Sequence, residues 1–278
     1  MNNPVSIIKS SGEKVVFNPD KLRSSLQRSG ANEDTIQEII DKVSGSLYDE
    51  ITTKEIYKKA FGLLRKSSRP TAARYKLKRA IMELGPTGFP FEKFIGAVLS
   101  HEGFRTSVGV IVKGHCVSHE VDVVAEKDNK HFMVECKFHN DPGKFSDVKV
   151  PLYIQSRFKD IEALWEKQPG HETKFHQGWI VTNTRFTTDA IQYANCMGLY
   201  LLSWDYPNEN NLKERIDRSR LHSITCLTTM TNYEKQKLLD KEFVLCIDLC
   251  KNPEVLNWIG ISKQRQKNIL REAGELCR

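Results

Sequence analysis

Seven cysteines occur in the 278 residues, an odd number, and none stands in a C-x-x-C pair; the closest spacing is Cys246 to Cys250. That pattern excludes a disulfide framework and a zinc knuckle. Strings such as Phe243-Val244-Leu245-Cys246 put thiols among apolar residues, where cysteine behaves as a small buried hydrophobe, so reduced thiols are expected. A run of about 18 apolar residues is also missing, which excludes a membrane-spanning helix. Met1-Asn2-Asn3-Pro4 leads straight into mixed sequence, without the basic-then-apolar pattern of a secretory signal, so a cytoplasmic protein with no membrane partner is expected. Neither sign of charge dominates: 42 Lys+Arg stand against 35 Asp+Glu, and 39% hydrophobic with 28% charged residues is an ordinary globular composition.

The charge that is present is unevenly spread. Residues 1–86 hold 16 Lys/Arg against 10 Asp/Glu, residues 87–207 hold 13 against 15, and residues 208–278 hold 13 against 10. Basic flanks around a slightly acidic middle suit outer modules that grip polyphosphate and a central one rich in metal-binding carboxylates. The length fits two or three modest domains, and three segments with these boundaries are expected.

In the first segment a strand from Val5 to Lys9, a turn at Ser11-Gly12 and a strand from Lys14 to Phe17 form a hairpin. Asn18-Pro19 starts a helix, with asparagine as N-cap and proline at the first helical position. Thr52 and Glu55 make a capping box for a second helix, and a last one from Thr71 stops at Gly85-Pro86. Ile8-Lys9-x-x-Gly12, Phe17-Asn18-x-x-Lys21, Ile51-x-Thr53-x-x-Ile56 and Ala73-Arg74-Tyr75 together resemble the ATP-cone, a regulatory nucleotide-binding module. The resemblance implies that Lys9, Asn18, Lys21 and Thr53 meet an adenine nucleotide, ATP or dATP. Ser10 stands where the family carries an arginine, and Lys14 is placed to compensate. Seven Lys/Arg and no acid lie between Arg65 and Arg79; such a run reads either as a solvated helix face or as a contact to DNA or nucleotide phosphate.

The central segment carries the chemistry. Phe91, Phe94, Ile95, Val98 and Leu99 follow helical spacing. Two strands come next, Glu120 to Ala125 and His131 to Phe138, around a five-residue turn from Glu126 to Lys130. Period-two alternation puts Val121, Val123, Ala125, Phe132, Val134 and Cys136 on a buried face, and Asp122, Glu135 and Lys137 together on the other. Two carboxylates offer hard oxygen ligands to Mg²⁺ or Mn²⁺. An ammonium beside them can orient an attacking water and stabilise charge on a phosphate. Glu172-Thr173-Lys174 is a second E-x-K, in a Pro169-Gly170 loop without a partner carboxylate strand.

A helix, a strand aspartate, a short turn and E-x-K in an alternating strand resemble the PD-(D/E)xK nuclease superfamily, here without its leading proline. Gly88-Phe89-x-Phe91-Glu92, Gly178-Trp179-Ile180-Val181-Thr182-Asn183 and Leu201-Leu202-Ser203-Trp204-Asp205 are similar to Mrr-type restriction endonucleases. The resemblance implies that Glu92 completes the metal or substrate shell and that Gln155 orients a backbone phosphate. Asp122, Glu135 and Cys136 are the metal positions it implies. His115, His119 and His139 flank the site as rim or DNA-contacting residues.

In the last segment Thr231 and Glu234 cap a helix and Asn252-Pro253 restarts one. Trp258-Ile259-Gly260-Ile261 before the basic helix with Lys263, Arg265 and Lys267 resembles a helix-hairpin-helix DNA-binding module; a packing or dimerisation tail uses the same residues.

The expected fold is thus α/β and α+β multidomain: a restriction-endonuclease-like mixed-sheet core flanked by a small ATP-cone (hairpin plus helices) and a helical tail. The expected function is a Mg²⁺- or Mn²⁺-dependent endodeoxyribonuclease of restriction or defence type, regulated by ATP or dATP. One site cuts one strand, so double-strand cleavage calls for a homodimer or higher homo-oligomer. Two other readings share these residues: a nucleotide-responsive DNA-binding regulator with an inactive nuclease fold, and an RNA or DNA-repair nuclease.

Overall fold

The computed structural model describes residues 5–9, 11–165 and 175–277. At the N-terminus β1 (Ser6–Ile8) and β2 (Lys14–Val16) pair antiparallel around Gly12, whose φ of 84° is the left-handed conformation a tight turn requires. Asn18 caps α1 (Pro19–Arg28) by accepting from the Asp20 N–H, and Asn32 caps α2 (Glu33–Ser44) in the same way through Thr35. β3 (Ile51–Thr52) then joins β1 in parallel. Thr52 accepts from the Glu55 N–H at 3.2 Å and opens α3 (Thr53–Ser67). The continuous helix expected from Thr71 is instead two, α4 (Arg69–Tyr75) and α5 (Leu77–Met82). Between them Lys76 is buried, and its ammonium donates to the Thr225 carbonyl at 2.9 Å.

The middle of the chain runs α6 (Phe89–His101), β4 (Arg105–Lys113), β5 (Ser118–Lys127), β6 (Lys130–Lys137), β7 (Phe145–Ser146), α7 (Lys149–Trp165), β8 (Phe175–Thr182), β9 (Arg185–Phe186), α8 (Thr188–Cys196), β10 (Tyr200–Leu202) and α9 (Leu212–Ser219). The tail is helical: α10 (Asn232–Leu239), α11 (Cys246–Lys251), α12 (Val255–Trp258) and α13 (Lys263–Leu276). Thr231 and Glu234 form the expected reciprocal cap on α10. The chain makes two compact units. One holds Met1–Ala80, Ile224–Leu238 and Cys246–Arg278; the other holds Ile81–Ser223 and Leu239–Leu245.

The first unit is built on Leu26, Ile36, Ile39, Ile51, Ala60 and Leu64, packed under the small β2-β1-β3 sheet and its helices. The second is built on a mixed five-stranded sheet in the order β10-β8-β6-β5-β4, parallel across β10, β8 and β6 and antiparallel from β6 to β4. This is the expected fold class, with one difference in layering: the sheet is covered on both faces. Helix α6 lies so close on one face that a Cβ on Gly96 would stand 2.9 Å from Val108, with Val123 beside it. On the other face Ile154, Phe158 and Ile161 of α7 and Ala190 and Ala194 of α8 pack with Val112, Val121, Met133 and Ile180. Met133, on the same side of β6 as Glu135, is therefore fully buried.

Two features of the central hairpin depart from the sequence reading. The turn is two residues, not five: Asp128 and Asn129 both have positive φ, 51° and 57°, the type I′ geometry that matches strand twist. Strict alternation also fails at Asp122. Val123 faces α6 while Val121 packs in the α7 cluster. The position opposite Asp122 is Gly109, whose φ is 65°, and this pair is missing from an otherwise regular β4–β5 register. Both strands change phase there.

Candidate active site

The phase change fixes where the candidate residues fall. The β5–β6 ladder ends at Val123↔Val134, and beyond it the strands separate. The Cys136 N–H, which a ladder would point at a strand carbonyl, donates instead to Asp122 Oδ2 at 2.6 Å. In a strand the N–H and C=O of one residue project from the same edge, so the Cys136 carbonyl opens onto the same gap. Burial, then the Asp122 and Glu92 carboxylates, push its thiol well above the ordinary thiol range. At Cys136 the group that faces the gap is therefore the main-chain carbonyl.

Glu135 is 4% exposed, and both its oxygens are engaged. Lys137 Nζ donates to Oε1 at 2.6 Å, and Arg157 Nη1 of α7 donates to Oε2 at 2.6 Å. Arg157 also bonds the Glu120 carbonyl, which ties α7 to β5. Glu92, in the first turn of α6, completes the group. Burial first, then Asp122, Glu120 and Glu135, push its carboxyl up to about 7, against the pull of Lys137. Asp122 is pushed up to about 6 by burial and by Glu135, offset by the Cys136 N–H, Lys137 and Arg157. Both shifts run toward the neutral acid, and a divalent cation beside these carboxylates would supply the positive charge that favours their ionised form.

Asp122, Glu135, Lys137 and Glu92 thus share one electrostatic neighbourhood. Gln155 is placed differently. It lies on α7 two residues before Arg157, buried, and its amide oxygen has no hydrogen-bond partner. Arg157 is the site residue that sequence reading missed. His119 is engaged by Asp160 at 2.7 Å, and His139 by Ser146 at 3.0 Å. Glu172-Thr173-Lys174 lies outside the described residues. Among those residues no group of three His, Cys, Asp or Glu side chains is arranged to hold a metal. A cation here would draw on the Asp122 and Glu135 carboxylates, the Cys136 carbonyl and water, a hard oxygen set that suits Mg²⁺ or Mn²⁺.

A second cavity, of about 210 Å³, lies in the first unit. Lys9, Asn18, Lys21 and Thr53 line it with the rings of Phe17, Tyr57 and Tyr75. Tyr57 and Tyr75 stack with centroids 5.2 Å apart, and burial pushes the Tyr75 phenol up to about 12. Lys9 is paired with Glu13 at 2.8 Å. Lys14 does not line the cavity; its ammonium is bound to Glu50 at 2.5 Å. The expected compensation by Lys14 is therefore corrected, and Ser10 lies outside the described residues. Two lysines beside aromatic walls suit a phosphorylated ligand that carries a ring.

Three family models match the chain. Residues 5–82 match the ATP cone domain, residues 86–205 a restriction endonuclease domain, and residues 222–277 the AF1548-like C-terminal domain. A protein of Archaeoglobus fulgidus described as uncharacterized is 36% identical over 177 residues, 63% of this chain and 95% of that protein. The crystal structure of a protein of unknown function, AF1548, superimposes with a TM-score of 0.57 and 33% identity, covering 69% of this chain and 98% of that one. The MspJI restriction endonuclease, in complex with a 27-mer oligonucleotide, reaches a TM-score of 0.32 at 11% identity over 62% of this chain and 35% of its own, a likeness too slight to bear on the fold.

Proposed function

The chain belongs to the AF1548-like family, which 33% identity across 98% of AF1548 establishes, and from that premise we propose that it is a metal-dependent endodeoxyribonuclease of the PD-(D/E)xK type. The observation that carries the reading is the gap between β5 and β6, where Asp122, Glu135, Lys137 and the Cys136 main chain meet beside Glu92. The matched restriction endonuclease domain supports it. Asp122 and Glu135 are the carboxylates that would hold the cation. A bound Mg²⁺ or Mn²⁺ supplies Lewis-acid polarisation of the phosphate and neutralises the charge that builds there.

The remaining steps belong to the chain. Lys137, held at Glu135 by a 2.6 Å bond, orients the attacking water and stabilises the negative charge of the transition state. Arg157 fixes the other Glu135 oxygen and is a positioning residue. Glu92, near neutrality, accepts or returns a proton at the rim. The activity fits a restriction or defence role in the cytoplasm, exercised by a homodimer whose two sites face opposite strands. Plasmid incubated with Mg²⁺ or Mn²⁺ tests the reading; a chain that binds DNA and leaves it uncut is a DNA-binding regulator instead.

Cation binding carries a pH signature. Glu92 at about 7 and Asp122 at about 6 lie above the unfolded carboxyl range of roughly 4. Between those limits the folded chain binds more protons than the unfolded one, so stability without metal falls as pH rises through that window. A cation competes with those protons. Thermal unfolding with Ca²⁺, which binds without rapid turnover, should show a large upward shift at pH 8 that shrinks well below pH 6. An equal shift at both pH values, or none, counts against a cation held by these carboxylates.

The ATP cone domain supports control by ATP or dATP. We expect calorimetry on the full chain to detect either nucleotide and the Lys9→Ala/Lys21→Ala variant to lose the heat. The full chain is required because residues beyond 223 pack in the same unit as the cone. Regulation can be no larger than the nucleotide's differential affinity for the two activity states. Heat that survives in the double variant would move the nucleotide away from this cavity.

A further inference from the structure

The basic run that begins at Arg65 opens onto a cleft of about 580 Å³ in the first unit. Arg65 and Lys66 come from the last turn of α3, Arg69 from the start of α4, and Arg265 and Asn268 from one face of α13. Among the described residues no carboxylate and no aromatic ring lines it, and no carboxylate pairs with Arg65, Lys66 or Arg69. The cleft wall is fixed from behind. The buried Glu272 carboxylate accepts from the N–H groups of Thr228 and Thr229, at 2.8 and 2.9 Å, and from their hydroxyls, at 2.7 and 2.6 Å. Those four bonds lock the 228–229 turn onto α13. Arg265 is then held across it, to the Thr229 carbonyl at 3.1 Å and to Glu234 at 2.5 Å.

The chemistry of the lining selects the ligand. The 210 Å³ cavity offers two lysines and three rings, a fit for a nucleotide with its base. The larger cleft offers cations and the Asn268 amide, with nothing to stack a base or grip a hydrophobic group. It recognises phosphate without reading what the phosphate is attached to, which is how proteins hold a nucleic-acid backbone. We propose that this cleft seats the phosphodiester backbone of duplex DNA, at Arg65, Lys66, Arg69 and Arg265, and sets how tightly the protein holds its substrate independently of the cutting residues. The proposal rests on the nuclease reading only in taking DNA as the substrate.

The test is fluorescence anisotropy of a short labelled duplex with the full chain in EDTA, across a salt series, so that nothing is cut. Arg65→Ala/Arg69→Ala should bind on the order of tenfold more weakly near 0.1 M salt, with a log–log salt slope shallower by about two. Arg65→Lys/Arg69→Lys should keep most of the affinity and the wild-type slope. Lys42→Ala, which removes an exposed cation outside the cleft, should bind as wild type does. Unchanged affinity and slope in the double alanine variant overturn the proposal, as does failure of the wild type to bind duplex at low salt. Loss of ATP heat rather than DNA affinity in that variant also overturns it, because the cleft is then a nucleotide site. A wild type that binds in this way and never cuts leaves the seat standing and removes the nuclease.

Discussion

Alanine at Lys137, Glu135 or Asp122 is expected to lower the single-turnover rate of plasmid cleavage by a hundredfold or more, while duplex affinity measured in EDTA stays within a few-fold of wild type. Each of the three acts on charge at the reacting phosphate, and one preorganised electrostatic contact of that kind contributes roughly 10²–10³ in rate, or about 3–4 kcal/mol. The losses will not add, because Glu135 holds both Lys137 and Arg157 and the group works as a unit. The double variant Glu135→Ala/Lys137→Ala should therefore fall little further than the worse single one. Wild-type cleavage in any of the three single variants would remove the gap between β5 and β6 as the site.

Arg157→Ala should lower stability by about 3 kcal/mol, the low end of what breaking a buried ion pair from one side costs. Only 10% of the Arg157 side chain and 5% of the Glu135 side chain are exposed, so water replaces little of the lost interaction. The Lys137 bond to the other oxygen keeps the loss from being larger. For a chain of this size the melting temperature should drop by roughly 6–12 °C. The drop should shrink when Mg²⁺ or Mn²⁺ is added, because a cation at the carboxylates replaces the missing positive charge. Arg157→Met, which keeps the packed stem without the charge, should melt near the alanine variant if the ion pair is what matters. A drop that metal leaves unchanged would mean that Arg157 acts by packing alone.

The hairpin was readable because two polar strand faces flank apolar ones and because E-x-K stands in a strand with an aspartate before it. The short turn was also written in the residues: Asp128-Asn129 is a pair that tolerates two left-handed conformations. The phase change at Asp122 was not legible. It depends on Gly109 of the neighbouring strand adopting a positive φ opposite it, and no count along one strand reveals that. Met133 shares its period-two face with His131 and Glu135 and so reads as solvent-facing, yet α7 covers it. Arg157 could not be told from Lys159 by spacing. One meets Glu135 and the other Glu162, and only the packing of α7 on the sheet decides which. The cone cavity divides the same way: Lys9, Asn18, Lys21 and Thr53 fall within matched motifs, whereas Lys14 is lost to Glu50, 36 residues on.

The measurement that bears most directly on the account is cleavage of supercoiled plasmid by the wild-type chain with Mg²⁺, with Mn²⁺ and with EDTA, alongside Lys137→Ala. The account predicts nicked or linear product with at least one of the two cations, none in EDTA, and none from the Lys137 variant at any cation. Product that persists in EDTA, product made equally by Lys137→Ala, or intact plasmid with both cations under conditions where the duplex is bound would contradict it.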